Sequence, residues 1–215
     1  ERYSQDIEKI KLRGATPIGT HRPICVDEIL QILDPKPGET VLDATLGYGG
    51  HTSLILPKLR PGGRLIGLDQ DPIERPKTEA RLRSSGISEA SLIVGAVNFN
   101  KARKFLAEIG VNKVDMILDD LGLSSMQIDN PMRGFSYKTS APLDLRMNPE
   151  KGQSAAELLA AINVSQLSKI LFENSDELRA DVIAKALVAK RPKTSLQMVE
   201  VLREVERVLR EIDIR

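Results

Sequence analysis

With 215 residues the chain can hold one α/β domain and an appendage, and 41% hydrophobic with 28% charged residues is ordinary for a globular protein. A net charge of +1 leaves no general nucleic-acid footprint, so any basic groove must be a local patch. Cys25 is the only cysteine and His21 and His51 the only histidines, which excludes an internal disulfide, a multi-cysteine zinc site and a histidine-rich metal site; no apolar run reaches the ~20 residues of a membrane span.

The sequence opens at Glu1 without a methionine, as expected of a trimmed or processed chain, so a removed targeting peptide stays open. Residues 1–20 read as an N-terminal extension, a peripheral helix carrying Ile7, Ile10 and Leu12 and then a loop. Cys25, Val26, Ile29, Leu30 and Leu33 recur at helical spacing, with Cys25 expected as a small buried apolar residue. Pro35, Pro37 and Gly38 end that helix and lead into a strand at Val41-Leu42. Thr52 is expected to cap the next helix, which Pro57 shortens. Further strands are expected at Arg64–Asp69, Ser91–Val94 and Val114–Asp120, with helices over 73–85 and Lys101–Ile109 between them. The alternation of the fourth strand places Asp119 and Asp120 on opposite faces at its carboxyl end. Residues 121–151 read as a long, functional loop, and the rest as helices over Ala155–Ile162, Val164–Leu171, Ala180–Ala189 and Leu196–Ile212. The last mixes Glu and Arg along its faces, as a solvated helix or one docking on a partner would.

Strands alternating with helices imply a parallel, doubly wound α/β sheet whose ligand crevice lies beyond the carboxyl ends of the strands. Gly47–Gly50, Asp69, Asn98-Phe99 and Asp119-Asp120 all fall on that edge. Gly47, Gly49 and Gly50 allow a sharp strand-to-helix turn and a close backbone approach to a ligand. Asp69, about twenty residues on, stands where a carboxylate accepts both hydroxyls of a ribose. The turn is not a dinucleotide fingerprint, because the third glycine position holds Thr52. Asp43, just before the turn, suits a ligand carrying an amino group. Together these favour S-adenosylmethionine over a nicotinamide dinucleotide; the bland alternative is that the glycines only allow tight strand–helix packing.

Several segments occur in one order: His21-Arg22-Pro23 with Asp27-Glu28, Asp43 to His51, Gly67 to Pro72, Asp120 to Gln127, Asn130 to Ser136, and Pro142 to Met147. The sequence resembles the MraW-type ribosomal RNA small-subunit methyltransferases, which methylate the exocyclic amine of a cytosine. The resemblance covers about residues 21–190 and is most specific at 120–127 and 131–147. It implies a Rossmann-like class I methyltransferase sheet with a helical appendage: a cofactor domain over 21–151 and a helical, substrate-side domain over 152–215. The family's later Pro-Gly-Gly turn and final strands have no counterpart here, so the sheet is expected to be incomplete on its C-terminal side with the fourth strand as an edge. Two further departures are Asp119, where the family has an apolar residue, and Glu173-Asn-Ser-Asp-Glu177.

By the resemblance, Gly49-Gly50-His51 lines the methionine end of the cofactor, Asp69 binds the ribose, Phe99 after Asn98 lies against the adenine, and Asp120 and Gln127 complete the pocket. Without it, Phe99 reads equally as a core aromatic and His51 as a polar residue at a helix start. A cytosine amine is a poor nucleophile, and an acceptor for its hydrogens favours the pyramidal, attacking form. Asp119, Asp120 and Asp144 are the available acceptors, Asp120 and Asp144 being the catalytic candidates, and Ser124 and Ser125 could assist through their hydroxyls; Asp144 reads equally as a staple to Arg146. Arg133, Lys138 and Arg146 are the candidate phosphate contacts. The expected partner is small-subunit ribosomal RNA or the ribosomal subunit, with a homodimer open, no metal and no membrane. The compartment is the cytoplasm, or an organelle if a targeting peptide was removed. Two other functions compete: a non-catalytic, cofactor-binding ribosome-assembly factor, and a nicotinamide-dependent oxidoreductase.

Overall fold

The protein is described from a computed structural model over residues 23–213, so the helix expected near the start and His21 lie outside the described residues. The described residues through Ser124 form one compact unit, and those from Ser125 onward form a second.

The first unit carries α1 (Val26–Leu33), β1 (Thr40–Asp43), α2 (Gly50–Ile55), β2 (Arg64–Leu68), α3 (Glu74–Ser84), β3 (Leu92–Gly95), α4 (Ala102–Glu108) and β4 (Met116–Leu118). All strand pairings are parallel and the order is β3-β2-β1-β4, the first half of a doubly wound Rossmann sheet. Period-two alternation sends successive residues to opposite faces. Val41, Leu65, Leu92 and Leu118 join Ile55, Leu59 and Leu82 in one core, onto which Ile29, Leu30 and Leu33 of α1 pack. Leu42, Ile66 and Leu68 face the other way and meet Ala102, Phe105 and Leu106 of α4. Helices on both faces bury the sheet, which explains the continuous apolar runs. Among the described residues the sheet has four strands, and β4 is an outer strand with Ile117 60% exposed, so the sheet is incomplete on the side the sequence indicated.

Three local expectations change. Cys25 is exposed, not buried: it occupies the N-cap of α1 in a left-handed conformation (φ 48°), outside the apolar stripe that begins at Val26. Thr52 is not a cap but a fully buried residue within α2, which starts at Gly50 from a left-handed Gly49 (φ 71°). The α-helix ends at Ile55, and Pro57 sits in the first turn of a 3-10 segment, Leu56–Leu59, where its missing N–H costs nothing. β4 stops at Leu118, so strand alternation no longer dictates where Asp119 and Asp120 point.

The second unit holds α5 (Ser125–Asp129), a 3-10 turn Pro131–Arg133, α6 (Ala155–Ala161), α7 (Val164–Ser175), α8 (Ala180–Lys190) and α9 (Ser195–Asp213). α6 and α7 begin with reciprocal capping boxes, Ser154 with Glu157 and Asn163 with Gln166, which satisfy amide groups that a helix start leaves open. Leu159, Ile162, Leu167, Ala184, Leu187 and Val201 close its core, and Leu143 from the long connection belongs to the same core. That connection is woven into the helices: Leu143 donates to the Lys193 carbonyl (2.9 Å), Ser195 to that of Ala141 (2.9 Å), and Ala156 to that of Leu143 (2.9 Å). The compact units therefore divide at Ser124/Ser125, whereas the sequence pattern suggests 151/152, because the long connection packs with the C-terminal helices. Among the described residues no helix is long and apolar enough to cross a membrane.

Candidate functional site

The glycine turn after β1 is held from three sides. The Leu46 amide donates to the Leu68 carbonyl of β2 (2.9 Å), and the Gly47 amide donates to Asp69 Oδ2 (3.1 Å). From α3, Thr78 Oγ1 donates to the Gly47 carbonyl (2.7 Å), and Arg81 donates to the Tyr48 carbonyl while its guanidinium lies 3.7 Å over the Tyr48 ring. Glycine is required at position 49: its φ is left-handed, and a Cβ would lie 3.0 Å from Leu82 Cδ1 and 3.1 Å from Thr78 Cγ2. At Gly50 a Cβ would overlap the Pro23 ring.

Asp69 stands immediately after β2. Its amide donates to the Gly95 carbonyl of β3 (3.1 Å), while Oδ1 accepts the Asp71 amide (2.8 Å) and Oδ2 the Gly47 amide (3.1 Å). Burial pushes its carboxyl above the usual range, Asp71's charge adds to that, and the two amide donors oppose it. A carboxylate has about four acceptor positions, so one amide on each oxygen leaves room for a diol.

Asp43, Thr45, His51, Thr52 and Asp120 make a second cluster where β1 and β4 end. Asp43 is 2% exposed; its Oδ2 accepts the Thr52 hydroxyl (2.6 Å) and its Oδ1 the Thr45 amide (3.1 Å). Desolvation raises its carboxyl pKa, with Asp120's charge adding and the Thr52 and Thr45 hydrogen bonds and His51 opposing. The sequence assigns Asp43 to a ligand's amino group; the structure buries it, at 2% exposed, as the brace of the turn, with one oxygen accepting from Thr52 and the other from Thr45. Thr45 Oγ1 accepts the Asp120 amide (2.8 Å), and His51 Nε2 lies 3.6 Å from Asp120 Oδ2.

Asn98 caps a 3-10 turn, Phe99–Lys101, by accepting the Asn100 amide (2.9 Å). That cap fixes the start of the turn just past β3, and Phe99 is 45% exposed, a side chain outside the core rather than part of it.

The remaining candidates belong to the second unit. Gln127 is buried on α5. Asp144 is clasped by Arg146, whose Nη2 and Nε approach Oδ2 and Oδ1 at 2.6 and 2.9 Å. That side-chain hydrogen bonding holds the Asp144 carboxyl below its usual range. Arg133, a sequence candidate for phosphate, is only 2% exposed and donates through Nη2 to the carbonyls of Arg146 and Met147 (both 2.9 Å). Its charge serves the loop's own backbone, which removes it from the surface.

The sequence profile of the MraW methylase family matches residues 19–211. The chain belongs to that family. Three curated relatives illustrate the match. "Ribosomal RNA small subunit methyltransferase H 1" of Lachnoclostridium phytofermentans is 50% identical over 87% of this chain and 51% of its own length. The protein of the same name in Agathobacter rectalis is 50% identical over 87% of this chain and 53% of its own length. "Ribosomal RNA small subunit methyltransferase H 2" of Alkaliphilus metalliredigens is 42% identical over 95% and 59%. The chain thus spans about half the length of the curated relatives it matches.

For this MraW-family chain, the first unit gathers two clusters from separate stretches: Asp69 with the glycine turn, and His51 with Asp43 and Asp120. Sequence reasoning missed Thr78 and Arg81, which hold the turn from α3. Both sit in a segment that reads only as a basic, polar helix, and the bonds they make span more than thirty positions, so no local pattern marks them.

Proposed function

We propose that this chain contributes the S-adenosylmethionine site of a methyltransferase acting on the exocyclic amine of a cytosine in small-subunit (16S-type) ribosomal RNA, alone or within the ribosomal subunit. The observation that carries the reading is Asp69, half-buried beyond β2 and pinned by one amide on each oxygen. A ribose diol fits that carboxylate, and the turn it shares with Gly47 brings backbone close to the same ligand. Phe99 supplies an exposed aromatic face for an adenine. Thr52, buried where a dinucleotide fingerprint has its third glycine, argues against nicotinamide chemistry. Gly49, Gly50, His51 and Asn98 are assigned to the same ligand on the family's pattern.

When bound, S-adenosylmethionine supplies an activated methyl group. The chain's own residues supply positioning. Of the two candidate acceptors, Asp144 is already committed to Arg146, while the Asp120 side chain is 46% exposed beyond β4 with its backbone anchored to Thr45. Asp120 is therefore the acceptor for the amine hydrogens, favouring the pyramidal nitrogen and aiming its lone pair. A base treated this way must leave its stack, so the substrate is a flipped or single-stranded cytidine.

The test has two arms. Calorimetric titration with S-adenosylmethionine should give binding, and Asp69→Ala should weaken it at least tenfold, about 1.4 kcal/mol. Affinity should also fall as pH drops through the raised Asp69 pKa, because the protonated acid accepts fewer hydrogen bonds. Unchanged affinity in Asp69→Ala would refute the ribose assignment. The second arm follows labelled methyl transfer to unmethylated small-subunit RNA; binding without transfer would leave a cofactor-binding assembly factor instead.

A further inference from the structure

His51 Nε2 is buried and has no hydrogen-bond partner. A buried polar nitrogen left unpaired forfeits its hydration with nothing in return, so a site that keeps one needs a physical reason. Its nearest carboxylate oxygen, Asp120 Oδ2, is 3.6 Å away, beyond hydrogen-bond length but within reach of one side-chain rotation. The two side chains differ sharply in access: 10% of His51 is exposed against 46% of Asp120. Asp120 thus meets whatever enters the site, and His51 stands behind it.

The backbone on both sides is fixed. The Asp120 amide is tied to Thr45 Oγ1 (2.8 Å), and His51 lies in the first turn of α2, where the Ser53 amide donates to the Gly49 carbonyl (2.9 Å). Only the carboxylate torsion is left to close the gap. When the imidazole is neutral with its proton on Nδ1, Nε2 and a carboxylate oxygen are both acceptors and have nothing to share. One proton arriving at Asp120 changes that, since the new O–H has an acceptor waiting behind it. Asp43 on β1 is the other charge facing the pair, buried and held by Thr52 and Thr45.

We propose that His51 is a positioning residue for Asp120, turning the carboxylate toward the substrate amine and taking over the proton it accepts. Once the amine nitrogen's lone pair had bonded to the transferred methyl carbon, with the donor sulfur keeping the electron pair of the broken S–C bond, the nitrogen would be cationic. Asp120 then takes one N–H proton, and the nitrogen keeps the electron pair of that bond. The proton passes to His51 Nε2, whose lone pair forms the new N–H bond and leaves Asp120 ionised and His51 cationic. It returns to solvent through the exposed carboxylate. This rests on the methyltransferase reading for its purpose, but the coupling of the two side chains is measurable without it.

The decisive measurement is the two-dimensional proton–nitrogen NMR spectrum of the histidine ring nitrogens on the full chain at one fixed pH. With only two histidines, His51→Gln assigns the signals. Asp120→Asn, isosteric and at an exposed position, should move the His51 Nε2 resonance and leave that of the other histidine in place, because Asp120 Oδ2 lies 3.6 Å from Nε2. An unmoved His51 resonance would overturn the proposal. In methyl transfer, His51→Gln should lower kcat at least tenfold with the KM for RNA within twofold; a KM effect alone would also overturn it. If S-adenosylmethionine does not bind while the resonance still moves, the functional reading fails and the coupling stands. If it binds and the resonance is unmoved, only the His51 role fails.

Discussion

Substituting Gly134 with alanine is expected to cost the second unit about 3 kcal/mol of stability or more, the sum of a left-handed backbone penalty and overpacking. Gly134 follows the 3-10 turn at Arg133 with φ 74°, its amide donating to the Pro131 carbonyl (3.1 Å). A Cβ there would overlap the Pro142 carbonyl oxygen and lie 2.9 Å from the Asp144 amide nitrogen and 3.4 Å from Leu143 Cα. Every one of these atoms is backbone, so no side chain can swing aside. The backbone in question cannot retreat either, because Leu143 is in the core and the Asp144 carbonyl accepts the Ala155 amide at the head of α6 (2.7 Å). Gly152 is the control: it has a similar φ of 75° but nothing within 4 Å of a Cβ. Gly152→Ala should cost only the backbone term, about 1 kcal/mol. Urea unfolding followed by far-ultraviolet circular dichroism reads both. Equal midpoints for the two variants would show that the close packing of 134 against 142–144 is not present in solution.

How much of the fold and site is legible in the sequence depends on the range of the interaction. The glycine turn, the four strands and the acids at their carboxyl ends come from short-range pattern, and the structure places Asp69 and Asp120 at that edge through bonds to Gly47 and Thr45. Helix starts are also available locally: Ser154 with Glu157 and Asn163 with Gln166 are capping pairs at the right spacing. Local pattern does not supply partner choice. Thr52 has the composition of a cap, yet its hydroxyl goes to Asp43 in the core. Arg133 has the composition of a phosphate contact, yet two carbonyls more than ten positions away take its guanidinium inside. Residues 121–151 look structureless because their helical pieces, Ser125–Asp129 and Pro131–Arg133, are too short to show periodicity and the order of 141–144 comes from bonds to 155, 156, 193 and 195. Cys25 shows the reverse error, a residue on the helical period that lies one position before the helix begins.

Asp43→Ala should destabilise the first unit by about 2–3 kcal/mol, because it strips the partner from a buried hydroxyl and a backbone amide at once. Thr52 is fully buried and donates to Asp43 Oδ2 at 2.6 Å, and the Thr45 amide donates to Oδ1 at 3.1 Å. The Thr52 hydroxyl is sealed from water, and the Thr45 amide is only partly exposed. Asp43→Asn separates the hydrogen bonds from the charge. The asparagine oxygen can keep the Thr45 amide, and its NH2 can donate to the Thr52 hydroxyl once that hydroxyl turns to accept. The Asn variant should therefore stay close to wild type near pH 4 and become the more stable protein as pH rises. The direction comes from the raised carboxyl: a folded-state pKa above the unfolded one makes folding bind a proton, so wild-type stability is full below the unfolded value and falls as pH rises through the folded one. Asparagine has no proton to lose and no such decline. Chemical unfolding of the three proteins between pH 4 and 8 distinguishes the roles. An Asn variant as unstable as Ala would mean that the charge itself, not the pair of hydrogen bonds, holds the turn. The same series bears on the ligand: Asp43 acts on the glycine turn only through Thr45 and Thr52, so Asp43→Asn should leave S-adenosylmethionine binding far less affected than Asp69→Ala does.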